Sequence, residues 1–220
     1  MIRKIILLLS LFLAVTVAAQ DIDPDLLTIK QRMDSIEEFR AHLTLDLDVS
    51  FINMPTKTAD MHYRKDKPVK FSSDDFVLIP KRGLDFSMNE LLKYSFITVD
   101  RGVVEKDGSV YKVINVIPTD KKADFAIATL LLDTLNQRIV ESEINTKKDG
   151  SYTLAMQYAN TDMILPELVV VSFEITRIKI PLNYMGKGTE VDKEELKLDG
   201  PKTGKIILQI SNYKIVYSGE

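Results

Sequence analysis

Ala41-His-Leu-Thr-Leu-Asp-Leu-Asp-Val-Ser-Phe51 alternates without a break, with Ala41, Leu43, Leu45, Leu47, Val49 and Phe51 on one side and His42, Thr44, Asp46, Asp48 and Ser50 on the other. A period of two marks a β-strand with one apolar and one wet face. The run is about twice the usual strand length of five or six residues. A strand this long with a wet face suits a large, strongly curved antiparallel sheet.

The same period recurs downstream. Ala59, Met61 and Tyr63 alternate with Asp60, His62 and Arg64, and short extended pieces are expected at Val69 to Ser73 and Phe76 to Ile79. Further strands are expected at Phe96 to Val104, Ser109 to Ile117, Phe125 to Leu132, Arg138 to Thr146, Tyr152 to Tyr158, Leu168 to Ile178 and Lys205 to Tyr217. Asp107-Gly108 and Asp149-Gly150 read as hairpin turns, Asn136 as part of another, and Gly83, Gly102 and Gly108 as isolated turn glycines. Upstream of the first strand the period is helical: Asp23 can cap, Pro24 suits the first helical position, and Leu26, Ile29, Met33 and Ile36 form one stripe that ends near Glu38. A capping box, Ser87 with Glu90, predicts a short helix from Ser87 to Tyr94. Pro181 to Gly204 is rich in Gly, Lys, Glu and Asp, and reads as a surface excursion with a helical turn at Lys193 to Leu198. These pieces add up to an α+β chain, mainly antiparallel β, of roughly ten to eleven strands. So large a sheet curls, and its concave face is the place for the helices to bury their stripes.

The N-terminus has the parts of an export signal. Arg3 and Lys4 precede an apolar run from Ile5 to Val17, and Val17-Ala18-Ala19 puts small residues before Gln20. The run is shorter than the ~20 residues that span a bilayer as a helix. Residues 1–20 are therefore expected to be removed, leaving 21–220 as a single domain long enough for one core. With no cysteine in the chain there are no disulfide staples and no lipid attachment point at the cleavage site. The expected product is a soluble, unanchored protein of the periplasm. Without Arg3 and Lys4 its net charge falls from −3 to near −5, which argues against nucleic acid as a partner.

Catalytic signatures are missing. His42 and His62, the two histidines, fall on the polar faces of their strands, and no HExxH pair, GxSxG elbow, phosphate-binding glycine loop or dinucleotide fingerprint is present. Asp46 and Asp48 share a strand face but sit among other polar residues, which favours solvated carboxylates over an acid–base pair. The reading is of a non-enzyme without metal or cofactor. What the sequence has in excess is apolar surface: Phe76 to Ile79, Ala126 to Leu132 and Leu168 to Val171 are apolar on both faces. Either the helices cover a plain core, or sheet and helices enclose a cavity for a hydrophobic ligand.

The order of these pieces resembles a known family. Export signal, amphipathic helix and the long strand Phe39 to Ile52 are followed by Met61-His-Tyr-Arg-Lys-Asp-Lys-Pro68-Val-Lys-Phe71. Then come Val113-Ile-Asn-Val-Ile-Pro118, Ala128-Thr-Leu-Leu-Leu-Asp133, Arg138-Ile-Val and the Asp149-Gly150 hairpin. Together they resemble the periplasmic outer-membrane lipoprotein-sorting proteins, the LolA-like family, in its Bacteroidetes-type branch. The resemblance implies an unclosed β half-barrel with helices as a lid over its mouth. It implies an acylated lipoprotein or lipid as cargo, an inner-membrane donor complex and an outer-membrane acceptor as partners, and a monomeric carrier. The cavity would be lined by Leu43, Leu45, Leu47, Val49, Phe51, Met61, Tyr63 and Phe71, with Leu154 and Met156 from a strand of weaker alternation. The family's latch arginine precedes the proline of the basic turn. Lys67 holds that place here, so Lys67 or the nearby Arg64 is the latch candidate. An envelope-sensing or protein-binding domain of the same fold is the alternative.

Overall fold

The computed structural model describes residues 22–74, 92–148, 150–175 and 188–219. The export signal, the piece Phe76 to Ile79, Gly83, Asp149, residues 176–187 and most of the Ser87 to Tyr94 helix fall outside them; Leu92 to Tyr94, the described end of that helix, are bent chain.

The first element is helix α1, Pro24–Asp34. Asp23 caps it, accepting from the backbone N–H groups of Asp25 at 3.0 Å and Leu26 at 3.3 Å. It stops short of Glu38. Ser35 closes the last turn, with its Oγ donating to the Arg32 carbonyl at 2.7 Å. Ile36, the last residue of the apolar stripe, instead opens strand β1, Ile36–Asp48. There it pairs with Tyr217 and is buried in the sheet cluster. Ladder hydrogen bonds and burial outweigh the weak helical preference of one residue.

Ten strands form one antiparallel sheet. After β1 come β3 (Lys57–Arg64), β4 (Lys70–Ser72), β5 (Phe96–Lys106), β6 (Ser109–Pro118), β7 (Phe125–Asp133), β8 (Arg138–Thr146), β9 (Ser151–Gln157), β10 (Leu168–Ile175) and β12 (Lys202–Tyr217). Their order is β4-β3-β1-β12-β10-β9-β8-β7-β6-β5, so β4 and β5 are the edges among the described strands and the sheet is not closed. β5 to β10 is a meander of neighbours; β12 inserts between β10 and β1. Two short strands, β2 (Ile52–Asn53) and β11 (Glu190–Val191), pair separately, and helix α2, Lys193–Lys197, follows them in the expected surface excursion.

β1 ends at Asp48 although the alternation runs on to Phe51. The Ile52 N–H donates to the Val49 carbonyl at 3.1 Å, which turns the chain. Val49, Phe51 and Ile52 then form a small cluster with Leu47, Phe173, Val191 and Leu196. Gly204 makes this packing possible: a Cβ there would lie 2.5 Å from Val49 Cγ2 and 2.8 Å from Phe173 Cζ. Gly102 lies in no turn. It occupies a register shift of β5 with φ +84°, a bulge of the kind that blunts an exposed sheet edge.

Candidate functional site

One face of the sheet carries most of the buried apolar residues of β1, β6, β7, β10 and β12. A single cross-strand row, Leu47–Ile206–Val171–Leu154–Ser142–Leu130–Ile114, follows from the pairing of seven neighbouring strands, and Ser142 is its one polar member. Two clusters divide this inner face. One holds Leu26 and Ile29 of α1 against Ile114, Val116, Ala128, Leu130 and Leu132 of the β5–β8 half. The other holds Phe39, Leu43, Leu45, Met61, Val169, Leu208 and Ile210 under Ile164 and Leu165, which belong to the β9–β10 connection. Met156 packs against both. Each large apolar side chain buried here contributes about 1.5–3 kcal/mol.

Helix α1 and the β9–β10 connection are both fastened by polar contacts. At the N-terminal end of α1, Lys112 of β6 places its Nζ 2.7 Å from both Asp23 and Asp25. These two carboxylates, Asp23 first, push the lysine's pKa well up. The Asp23 N–H donates to Thr98 Oγ1 at 2.8 Å. At the C-terminal end Arg32 donates to backbone carbonyls from two separate loops: Asn136 and Gln137 (3.4 Å) of the β7–β8 turn, and Asp162 (2.8 Å) of the β9–β10 connection. Lys65 Nζ, from the basic turn, reaches the Asp34 carbonyl at 2.8 Å.

The β9–β10 connection works as a strap across the sheet. Arg138 donates to the Asn160 carbonyl at 2.7 Å and lies 4.4 Å from the Tyr158 ring centre. Tyr158 donates to the Ile139 carbonyl at 2.6 Å and Tyr213 to the Pro166 carbonyl at 2.7 Å. Burial raises both phenol pKa values, so the hydroxyls stay protonated donors. Asp133 organises the adjoining turn, accepting from Asn136 N at 3.0 Å, Asn136 Nδ2 at 2.7 Å and Arg138 Nε at 3.0 Å. Burial pushes the Asp133 carboxyl up, but these hydrogen bonds outweigh it and hold it below the usual range.

The expected cavity residues all lie on the inner face or its end. Leu43 (1% exposed), Leu45 and Met61 are buried, with Tyr63, Phe71, Leu154 and Met156 partly buried around the same cluster. Val49 and Phe51 are buried in the small end cluster, with Leu47 packed against it. Side chains of the protein itself fill the space beside the buried ones. A groove of about 560 Å³ beside Asp48, Ser172, Glu174, Thr203 and Lys205 is lined by none of the expected cavity residues. Buried Lys57 stands opposite Leu45 on the same face, an interruption the alternation did not announce.

Among the described residues, neither latch candidate forms a hydrogen bond or ion pair with α1. Arg64 pairs with Glu38 through Nε at 3.1 Å and an Nη at 2.9 Å, while Lys67 is exposed and its N–H closes the turn on the Arg64 carbonyl at 3.0 Å. Arg32 makes the carbonyl contacts instead. Its only trace in the sequence is a basic residue in the last turn of a helix, which complements the dipole in many helices. His42 and His62 lie on the outer face, paired with Asp60 at 3.1 Å and Glu38 at 2.9 Å. Among the described residues no cluster of three or more His, Asp or Glu could hold a metal ion, and no helix is long and apolar enough to cross a membrane.

No protein-family model and no curated protein matches the sequence. Solved structures do. A DUF1329 family protein from Desulfovibrio piger is 10% identical with a TM-score of 0.52, over 89% of this chain and 91% of that one. A domain named for outer membrane lipoprotein sorting, from Vibrio parahaemolyticus, is 12% identical with a TM-score of 0.49, over 89% and 93%. A LolA superfamily protein from Nitrosomonas europaea is 9% identical with a TM-score of 0.47, over 86% and 93%. The chain shares its open, mainly antiparallel fold with the DUF1329 family structure. At such identity the likeness is one of fold, and it does not reach to a Bacteroidetes-type branch.

Proposed function

We propose that the protein is a non-enzymatic periplasmic carrier that shields acyl chains of a lipoprotein or lipid on the inner face of its sheet and delivers them towards the outer membrane. One observation supports the reading: a row of seven paired strands is apolar except at Ser142, and Leu26 and Ile29 of α1 and Ile164 and Leu165 of the β9–β10 connection pack into the clusters on that face. The hydrogen bonds and ion pairs that fasten these two segments are each worth about 0.5–3 kcal/mol, so the segments can be displaced while the sheet stays intact. Acyl chains that replace the covering side chains regain about 0.8 kcal/mol per buried CH₂. In this reading Leu43, Leu45, Leu47, Val49, Phe51, Met61, Tyr63, Phe71, Leu154 and Met156 line the opened trough, and Arg32 latches α1 shut.

Native mass spectrometry of gently purified protein tests it. Co-purified lipid or acylated peptide is expected; lipid-free protein bound to a tight protein partner overturns the carrier in favour of an envelope-sensing domain. The faces of β1 give the finer test. Leu47 pairs with Ile206 on the inner face, and Asp48 is exposed on the outer one. Leu47→Glu should abolish binding of a fluorescent fatty acid while Asp48→Lys leaves it intact. Equal losses from both substitutions would sink the assignment.

A further inference from the structure

A row of basic side chains crosses the outer face near the β3–β4 turn. Lys214 of β12 pairs with Arg40 of β1, Arg40 with His62 of β3, and His62 with Lys70 of β4. Directly paired residues point to the same face, so four basic side chains stand side by side, one per strand. At about 4.8 Å between strands the row is about 14 Å long. Arg64 lies two residues further along β3 on the same face, and Lys67 projects from the turn.

At the Lys214–Arg40 pair this arrangement works against the stability of the sheet, because like charges directly opposite across strands repel. Glu37, Glu38, Asp60 and Asp66 stand here against six lysines and arginines: Arg40, Arg64, Lys65, Lys67, Lys70 and Lys214. Glu38 alone serves Arg64 at 2.9 Å, His62 at 2.9 Å and Arg40 at 3.5 Å. Asp60 is taken by His42 at 3.1 Å. Among the described residues the side chains of Lys67, Lys70 and Lys214 have no carboxylate partner, and all three are exposed. The positive field is local, since the whole chain carries −3.

The basic side chains lie in a line along an exposed sheet face and, among the described residues, converge on no pocket, so they fit a surface of many anions rather than one bound ion. Val216, 46% exposed, stands two residues from Lys214 on the same face and pairs with Glu38. An apolar side chain among exposed cations suits the boundary between headgroups and acyl chains. We propose that the Lys214–Arg40–His62–Lys70 row, with Arg64 and Lys67, docks the protein on a membrane surface rich in anionic phospholipid headgroups. The choice of a lipid surface over an acidic protein rests on the carrier reading, since a carrier of acyl chains must meet membranes. The docking face is the outer one, opposite the cargo face.

The test is co-sedimentation of the purified protein with vesicles of phosphatidylcholine alone or mixed with phosphatidylglycerol. Lys70→Glu with Lys214→Glu removes two exposed lysines from the row; Lys122→Glu with Lys148→Glu makes the same charge change at exposed sites elsewhere. Wild type should bind the mixed vesicles, weaken as salt rises, and ignore the neutral ones. Each cation near an anionic surface is worth about fivefold in affinity, so the row variant should lose at least about 25-fold and the control variant far less. Equal losses from the two variants, binding to neutral vesicles alone, or no binding by wild type would overturn the proposal. Binding of a fluorescent fatty acid, read in parallel, separates the two readings. Its absence with vesicle docking intact sinks the carrier alone; its presence in a protein that ignores anionic vesicles sinks the docking face alone.

Discussion

Arg32 shows what one side chain can do that its place in the sequence does not announce. A guanidinium presents several donors in a fixed fork, and here they meet carbonyls from two loops on either side of the helix end. Carbonyl acceptors leave no sequence signature, because every residue has one. The family resemblance pointed to the basic turn instead, where Arg64 and Lys67 serve Glu38 and the turn itself. Lysine in place of Arg32 keeps the charge and loses the fork. Arg32→Lys should speed amide exchange in α1 and in the strap, with exchange in β1 and β12 unchanged. Uniform acceleration through the sheet would mean that Arg32 supports the fold as a whole rather than the cover.

At the scale of elements, the turn between β7 and β8 and the strap behave as one unit, joined through Asp133 and Arg138. The Asp133 carboxyl sits below its ordinary pKa, so the folded state favours its ionised form. Its contribution is present above the unfolded-state carboxylate value, about 4, and is lost as pH falls through the lowered folded value. Asp133→Asn should therefore lower the melting temperature at neutral pH and flatten its fall between about pH 5 and pH 3. A variant whose acid slope matches wild type would remove Asp133 from this account. The strands were the most legible elements, because one wet face imposes a period of two; Arg138–Thr146 coincides with its expectation residue for residue. Ends were less legible. Ile36 fits a helical stripe equally well, and the alternation through Phe51 carries no mark of the turn at Ser50, because Val49 and Phe51 are buried in either conformation.

For the whole molecule, alternation says which residues face inwards but not which strand lies beside which. The open antiparallel sheet could be expected from the number and length of its strands, yet nothing in residues 202–217 says that they lie between β1 and β10. Leu208 sits at that junction, opposite both Leu45 and Val169, and is fully buried. Leu208→Ala should cost about 2–5 kcal/mol, and denaturation followed by far-ultraviolet circular dichroism and by tyrosine fluorescence should still give one shared midpoint. Two separated midpoints would show that the halves of the sheet fold apart. The place of β12 also bears on how the chain comes into being. Until β12 emerges, β1, β3 and β4 form a hairpin fragment with a long unpaired edge and one greasy side, the kind of surface on which nascent chains stick to each other. The strand that joins the two halves of this sheet is the last of its described strands in the chain, so the halves stay separate until nearly all the described strands have been made.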